Sequence, residues 1–242
     1  MALPIFPPGY HRIQLVGSFD ELVSTRFADG VNALCWPRVL AGDFREVVER
    51  LAVGVGITPI EDARLESLAA EVSVAGRVAI AVMLEDLRRL REAGLEPVLD
   101  GVLGYAPRSA EEVAAEVMRT DVCSWHVDSA TCEADTWLCT YHGASSEGLP
   151  NEQALRRAEV PEMRAVLLRD YGGADDEGFL EYLNDHYYDL HYVPVEGSRG
   201  WSFGVGNLWR IATEHPGCAV PPCIHRAPDP VPGELPRLLL IS

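Results

Sequence analysis

The segment Cys123–Ser124–Trp125–His126–Val127–Asp128, followed by Thr136–Trp137–Leu138–Cys139–Thr140–Tyr141, decides how this chain is read. Both stretches are rich in aromatic, β-branched and Cys residues, as strands are. Along a strand, side chains two residues apart leave the same face. His126 and Asp128 are therefore expected to project together while Val127 enters the opposite layer. The same texture returns at Trp201–Ser202–Phe203, at Leu208–Trp209–Arg210–Ile211–Ala212 and at Leu238–Leu239–Leu240–Ile241. Gly- and Pro-rich joints (Gly204–Val205–Gly206–Asn207, Pro216–Gly217, Pro221–Pro222, Pro228, Pro230, Pro232) separate these runs and mark turns between short strands. Helical or loop insertions are expected at Pro161–Leu168 and Glu177–Tyr188.

Upstream, the first hundred residues read mainly as helix. Phe44 to Val53 carries Val47, Val48 and Leu51 at helical spacing, and Asp62 to Ala93 sustains the same period from Leu65 to Leu90. Gly76 is the expected break and Gly94 the expected cap. Glu85, Asp86, Arg88, Arg89, Arg91 and Glu92 read as a solvated face laced by i,i+4 pairs. Ser109–Ala110–Glu111–Glu112 has the form of a capping box opening a short helix to about Met118. Helices first and a mostly antiparallel β region after them predict an α+β fold, with helices packed on a β-sandwich or barrel. One domain spans 1–242: 1–120 as mostly helical support, 121–242 as the β core, with an insertion over 156–200.

Composition removes whole classes of chemistry. The chain has 242 residues and a net charge of −17, and all 20 of its cations are Arg. Without Lys there is no Schiff-base lysine and no phosphate-loop lysine. The acidic balance argues against nucleic acid and against an anionic membrane surface. Prolines interrupt Met1–Pro8, which lacks a basic leader, and no apolar run is long enough to span a bilayer. Six Cys without a secretion signal read as reduced thiols, so the expected location is cytoplasmic. No nucleophile elbow, dinucleotide fingerprint or Cys-x-x-Cys pair is present; after Gly204–Val205–Gly206 the Rossmann pattern fails.

His126 and Asp128 supply two ligands of a 2-His-1-carboxylate facial triad, the arrangement that leaves half of an octahedral Fe(II) open for substrate and O2. The third ligand must come from a distant strand, and His225, ninety-nine residues beyond His126, is the best candidate. Arg237 follows twelve residues later and opens the last strand. A permanently charged, bidentate guanidinium there suits the far carboxylate of 2-oxoglutarate, whose other end chelates iron.

At these residues the chain resembles a bacterial family of uncharacterised proteins, often encoded beside zinc-chaperone-type GTPases. The matching residues are Trp125–His126–Val127–Asp128, Leu138–Cys139–Thr140–Tyr141–His142–Gly143, His225–Arg226–Ala227–Pro228 and Arg237–Leu238–Leu239, with a less specific likeness at Gly30–Trp36. That family is similar in pattern to the Fe(II)/2-oxoglutarate oxygenases. The resemblance implies a double-stranded β-helix (jelly-roll, cupin-like), with His126, Asp128 and His225 as iron ligands and Arg237 as cosubstrate anchor. It also implies Tyr141 as a second hydrogen-bond donor to the cosubstrate. The family's Gly-Pro-Gly-Thr-Glu is Gly143–Ala144–Ser145–Ser146–Glu147 here, its Ser before Pro is Ala227, and residues 156–200 resemble no part of it. In related halogenases a small residue replaces the carboxylate, so Asp128 favours hydroxylation or another oxidation.

The reading is thus an Fe(II)- and 2-oxoglutarate-dependent dioxygenase acting with O2 on a small molecule, its helical part forming homodimer or substrate surfaces. A 2-oxoglutarate-independent iron oxidase would keep the triad without needing Arg237. A non-catalytic cupin-like or zinc-binding protein of metal homeostasis would draw on Cys123–x2–His126, Cys139–x2–His142 or Cys218–x4–Cys223, whose spacings suit zinc. Strand alternation, however, puts Cys123 and His126 on opposite faces. The run Asp185–His186–Tyr187–Tyr188–Asp189–Leu190–His191–Tyr192 reads as a packed surface loop, or else as a lid or second metal site.

Overall fold

Short polar caps start several of the helices, and runs of buried residues make the central strands. The computed structural model describes residues 6–7, 9–104, 116–231 and 233–242. In chain order the elements are β1 (Ile13–Leu15), α1 (Phe19–Ser24), β2 (Ala33–Trp36), α2 (Phe44–Arg50), β3 (Gly56–Pro59), α3 (Asp62–Leu68), α4 (Val74–Glu92) and β4 (Val98–Leu103). There follow β5 (Asp135–His142), β6 (Glu147–Gly148), β7 (Ala154–Arg156), α5 (Pro161–Tyr171), α6 (Glu177–Asp185), β8 (Tyr192–Pro194), β9 (Trp201–Ser202), β10 (Leu208–Ala212), β11 (His225–Arg226) and β12 (Arg237–Ile241). Ser18, Asp43 and Ser73 cap α1, α2 and α4 by accepting backbone N–H groups of the first turn.

The fold is mixed α+β. Seven strands form one sheet in the order β1-β2-β10-β5-β12-β4-β3, antiparallel except for the β1–β2 pair. A small sheet has the order β11-β6-β9, and β7 pairs with β8. His126 extends the small sheet by bridging to His225 on one side and to His191 on the other. From β4 to β12 the chain moves between the two sheets: β4 (large), residues 125–128 (small), β5 (large), β6 and β9 (small), β10 (large), β11 (small), β12 (large).

Each face of the large sheet has its own core. Leu34, Trp137, Cys139, Tyr141, Leu208, Leu238 and Leu240 pack against the helical layer. The alternate residues Cys35, Leu138, Trp209 and Ile211 meet Trp201, Phe203 and Cys223 from the side of the small sheet. The insertion is a satellite: β7 and β8 bracket α5 and α6, whose Leu167, Phe179 and Leu183 form a separate cluster. No helix among the described residues is long and apolar enough to cross a membrane.

Three expectations for the N-terminal part are corrected. The described residues up to 103 are not mainly helix, because four strands of the large sheet lie there. Ala33–Trp36 is buried on both faces, so it shows no alternation to read, and Ile13–Leu15 is too short to show one. The helical stretch over 62–93 does divide, but at 69–73, before Ser73 caps α4. Gly76 lies inside α4's first turn, where a Cβ would stand 2.6 Å from Glu46 Oε2 and 2.7 Å from Val72 Cβ. The charged face of α4 is real at Glu85, Arg88, Arg89 and Glu92. Asp86 is not part of it: it is buried, taking hydrogen bonds from Arg38 Nη1 and the Tyr141 hydroxyl, both at 2.7 Å. The capping box at Ser109–Glu112 lies outside the described residues.

Because Arg38 and Asp86 are both desolvated, removing one strands the other. Asp86→Ala is expected to lower unfolding stability by about 3–5 kcal/mol, and Tyr141→Phe by about 1 kcal/mol. Urea denaturation of the two variants checks the difference.

Candidate metal centre

A turn and two reciprocal backbone bonds build the centre. Asp121 Oδ1 accepts the N–H groups of Cys123 (3.0 Å) and Ser124 (3.1 Å), which ends the turn and sends Trp125–Asp128 out extended. His126 N donates to His225 O at 2.9 Å, and His225 N donates back to His126 O at 2.8 Å. Directly opposed residues of an antiparallel pair share a face. The two imidazoles consequently lie side by side, ring centres 4.6 Å apart.

Their orientation is fixed from behind. His126 Nδ1 is 2.7 Å from the Ser124 carbonyl and His225 Nδ1 is 3.2 Å from the Cys223 carbonyl. A carbonyl only accepts, so each Nδ1 carries a proton and each Nε2 is the ring atom turned toward the site. Both Nε2 atoms face one acid. Asp128 Oδ1 is 3.9 Å from His126 Nε2, and Asp128 Oδ2 is 3.6 Å from His225 Nε2. The Thr136 hydroxyl donates to Asp128 Oδ2 at 2.5 Å and aims the carboxylate.

The three ligand atoms lie within 4.8 Å of one another, and among the described residues no other group of three His, Cys, Asp or Glu does so. An ion about 2.1 Å from each donor holds neighbours at right angles roughly 3 Å apart, so modest side-chain movement closes the set around a metal. The protonation states also suit one. Burial, and then the neighbouring His225 ring, push His126 down to about 4, leaving it neutral. Burial alone would raise Asp128, but His225, the Thr136 hydroxyl and His126 outweigh it and hold the acid below the usual carboxylate range. A neutral His126 and an ionised Asp128 are already in the forms that ligate a divalent cation, and His225 completes the set of three.

Arg237, first residue of β12, is buried at 9% exposure on the face of the large sheet that turns toward the small one. Its Nε donates to the Ala144 carbonyl at 2.6 Å, and Nη2 reaches Ser146 Oγ at 3.4 Å. Gly143, at φ +83, lets the turn close over this side chain; a Cβ there would lie 3.0 Å from Arg237 Cγ. Ser146 stands two residues before Gly148, and Gly148 is the strand partner of His225. Strand spacings then put the guanidinium on the order of 10 Å from the paired imidazoles.

Tyr141 is a correction. It sits on β5 between two residues that face the small sheet, so alternation turns it the other way. It is buried in the helical layer, stacked on Phe44 with ring centres 5.5 Å apart, and its hydroxyl is committed to Asp86. The sequence around it already held this outcome, since Thr136 and Tyr141 differ by an odd number of positions. The zinc spacings separate as well. Cys139 faces the helical layer beside Arg38, Cys223 is buried between the sheets, and Cys218 turns back on its own loop. In the run 185–192, His186 stacks among Tyr182 and Tyr188, whereas His191 is buried beside His126, ring centres 5.8 Å apart, with Nδ1 2.8 Å from Ser124 Oγ.

No family model matches the chain, and no curated protein or solved structure matches it.

Replacing His126 or His225 by Ala is expected to abolish tight binding of one divalent metal while the fold persists. Thr136→Val, which frees the carboxylate without removing it, is expected to weaken metal binding by about 10–100-fold. Anaerobic titration with Fe(II) or Co(II), with circular dichroism as the folding control, distinguishes these outcomes.

Proposed function

We propose that the protein is a non-haem Fe(II) oxygenase that uses 2-oxoglutarate and O2 to hydroxylate or otherwise oxidise a small-molecule substrate. The observation that carries this reading is the convergence of two Nε2 atoms and one carboxylate, with Arg237 buried at the start of the last strand on the facing sheet. Two His and one carboxylate suit Fe(II) and leave positions free for other ligands.

The path of the chain supports a double-stranded β-helix. Eight strand segments from β4 to β12 wind between two sheets, with β4-β12-β5-β10 adjacent in one and His126-β11-β6-β9 adjacent in the other. The same residues are those that resemble the bacterial family related in pattern to the 2-oxoglutarate oxygenases, and kinship with it is part of this proposal. Fe(II), once bound with 2-oxoglutarate, supplies the activation of O2.

The chain's own residues have separable tasks. The Ser124 and Cys223 carbonyls hold the histidine tautomers, and Thr136 sets the carboxylate angle. Arg237 supplies a permanently charged fork for the far carboxylate of the cosubstrate. Trp201, Phe203 and Trp209 wall the space behind His225, with Phe203 and His225 ring centres 6.5 Å apart, and so keep water from one side of the centre. Asp128 occupies the position that a halide would need, which favours oxygen insertion or a related oxidation.

Anaerobic protein loaded with Fe(II) is expected to develop a weak visible charge-transfer band on addition of 2-oxoglutarate. Arg237→Ala is expected to keep the iron and to need at least about tenfold more 2-oxoglutarate for the same band. Iron binding with no band at any concentration contradicts the 2-oxoglutarate role.

A further inference from the structure

Two buried donors on the inter-sheet walls have no hydrogen-bond partner among the described residues: the Thr140 hydroxyl and the Trp201 indole N–H. Their residues are 1% and 4% exposed, so water does not satisfy them from outside. Buried polar groups are almost always paired, and leaving one unpaired costs folding stability. An orphaned donor on each of two facing sheets therefore points to a ligand taken up between them.

Their positions are defined by the strands. Thr140 lies on β5 between Cys139 and Tyr141, both of which pack on the helical layer, so its hydroxyl belongs to the face shared with Leu138 and Thr136. Its strand partner on β12 is Leu239, two residues after Arg237. Trp201 packs against Phe203 and Trp209 in the inter-sheet core. Its indole lies flat in the space that Gly148 leaves open: a Cβ on Gly148 would stand 2.2 Å from Cε2 and 2.8 Å from Nε1. Gly148 is the direct partner of His225. One orphaned donor thus borders the metal-ligand strand, and the other borders the strand that carries Arg237.

We propose that the Thr140 hydroxyl and the Trp201 indole N–H donate hydrogen bonds to oxygens of the carboxylate-bearing cosubstrate, completing with Arg237 the seat that binds it. The inference rests on the oxygenase reading and adds two positioning residues to it. A dicarboxylate offers acceptor oxygens at both ends; Thr140 pairs with the strand that Arg237 opens, and Trp201 pairs with the Gly148 that also pairs with His225. Neither residue is one of the three metal ligands, so both act through cosubstrate affinity.

The test uses full-length protein loaded anaerobically with Fe(II), titrated with 2-oxoglutarate through the charge-transfer band, for wild type, Thr140→Val, Thr140→Ser and Trp201→Phe. Thr140→Val and Trp201→Phe are expected to retain iron and to weaken 2-oxoglutarate binding by about ten- to hundredfold. Thr140→Ser should restore binding. Without cosubstrate, Thr140→Val should melt no lower than wild type, because it removes an unpaired buried hydroxyl. The proposal is overturned if Thr140→Val and Trp201→Phe bind 2-oxoglutarate as wild type does, if Ser fails to rescue Val, or if either variant loses iron together with the cosubstrate. Failure of wild type itself to give the band would instead overturn the oxygenase reading.

Discussion

The reciprocal pair of backbone hydrogen bonds between His126 and His225 is the constraint on which the centre depends. It joins two residues almost a hundred positions apart as direct neighbours, and neighbours in register present side chains to one side. Once that register holds, alternation brings Asp128 to the same side, and the start of β5 delivers Thr136 to its carboxylate. A slip of one residue would turn an imidazole to the opposite layer and dissolve the set. The candidate metal centre is thereby a consequence of strand pairing rather than of any loop.

The large sheet makes that pairing possible by separating two jobs. One face carries an apolar helical layer, with the Arg38–Asp86–Tyr141 network buried inside it. The other face is reserved for the aromatic wall, Arg237 and the centre. β5 shows the division within one strand: Trp137, Cys139 and Tyr141 serve the fold, while Thr136, Leu138 and Thr140 turn to the site. Buried acids then have opposite meanings. Asp86 is consumed by Arg38 and Tyr141, whereas Asp128 faces two imidazole Nε2 atoms and one hydroxyl.

Much of the centre was legible in the sequence because a period of two is a geometric statement. It linked His126 to Asp128 directly. His225 is readable by residue type and order, and the structure sets it beside His126; Arg237 is found buried at the start of the last strand, as its place in the sequence suggests. Tyr141 departs from what the resemblance implies because strand alternation sets it opposite Thr136, in the helical layer. Asp86 was misread because its charged neighbours on α4 concealed that one residue in their midst faces inward. The four N-terminal strands were hidden for another reason: they are three to six residues long, and β2 is buried on both faces, so neither length nor alternation announced them. The carbonyls behind the two histidines and the orphaned donors of Thr140 and Trp201 depend on long-range pairing, which no local pattern encodes.

The central claim is that residues 126, 128 and 225 hold a single ion. Crystals of the protein reconstituted with Fe(II) under anaerobic conditions, measured at the iron absorption edge, test it most directly. The account predicts one anomalous peak about 2.1 Å from His126 Nε2, His225 Nε2 and an Asp128 oxygen. A peak elsewhere, or an iron-loaded protein with none at this position, would contradict it.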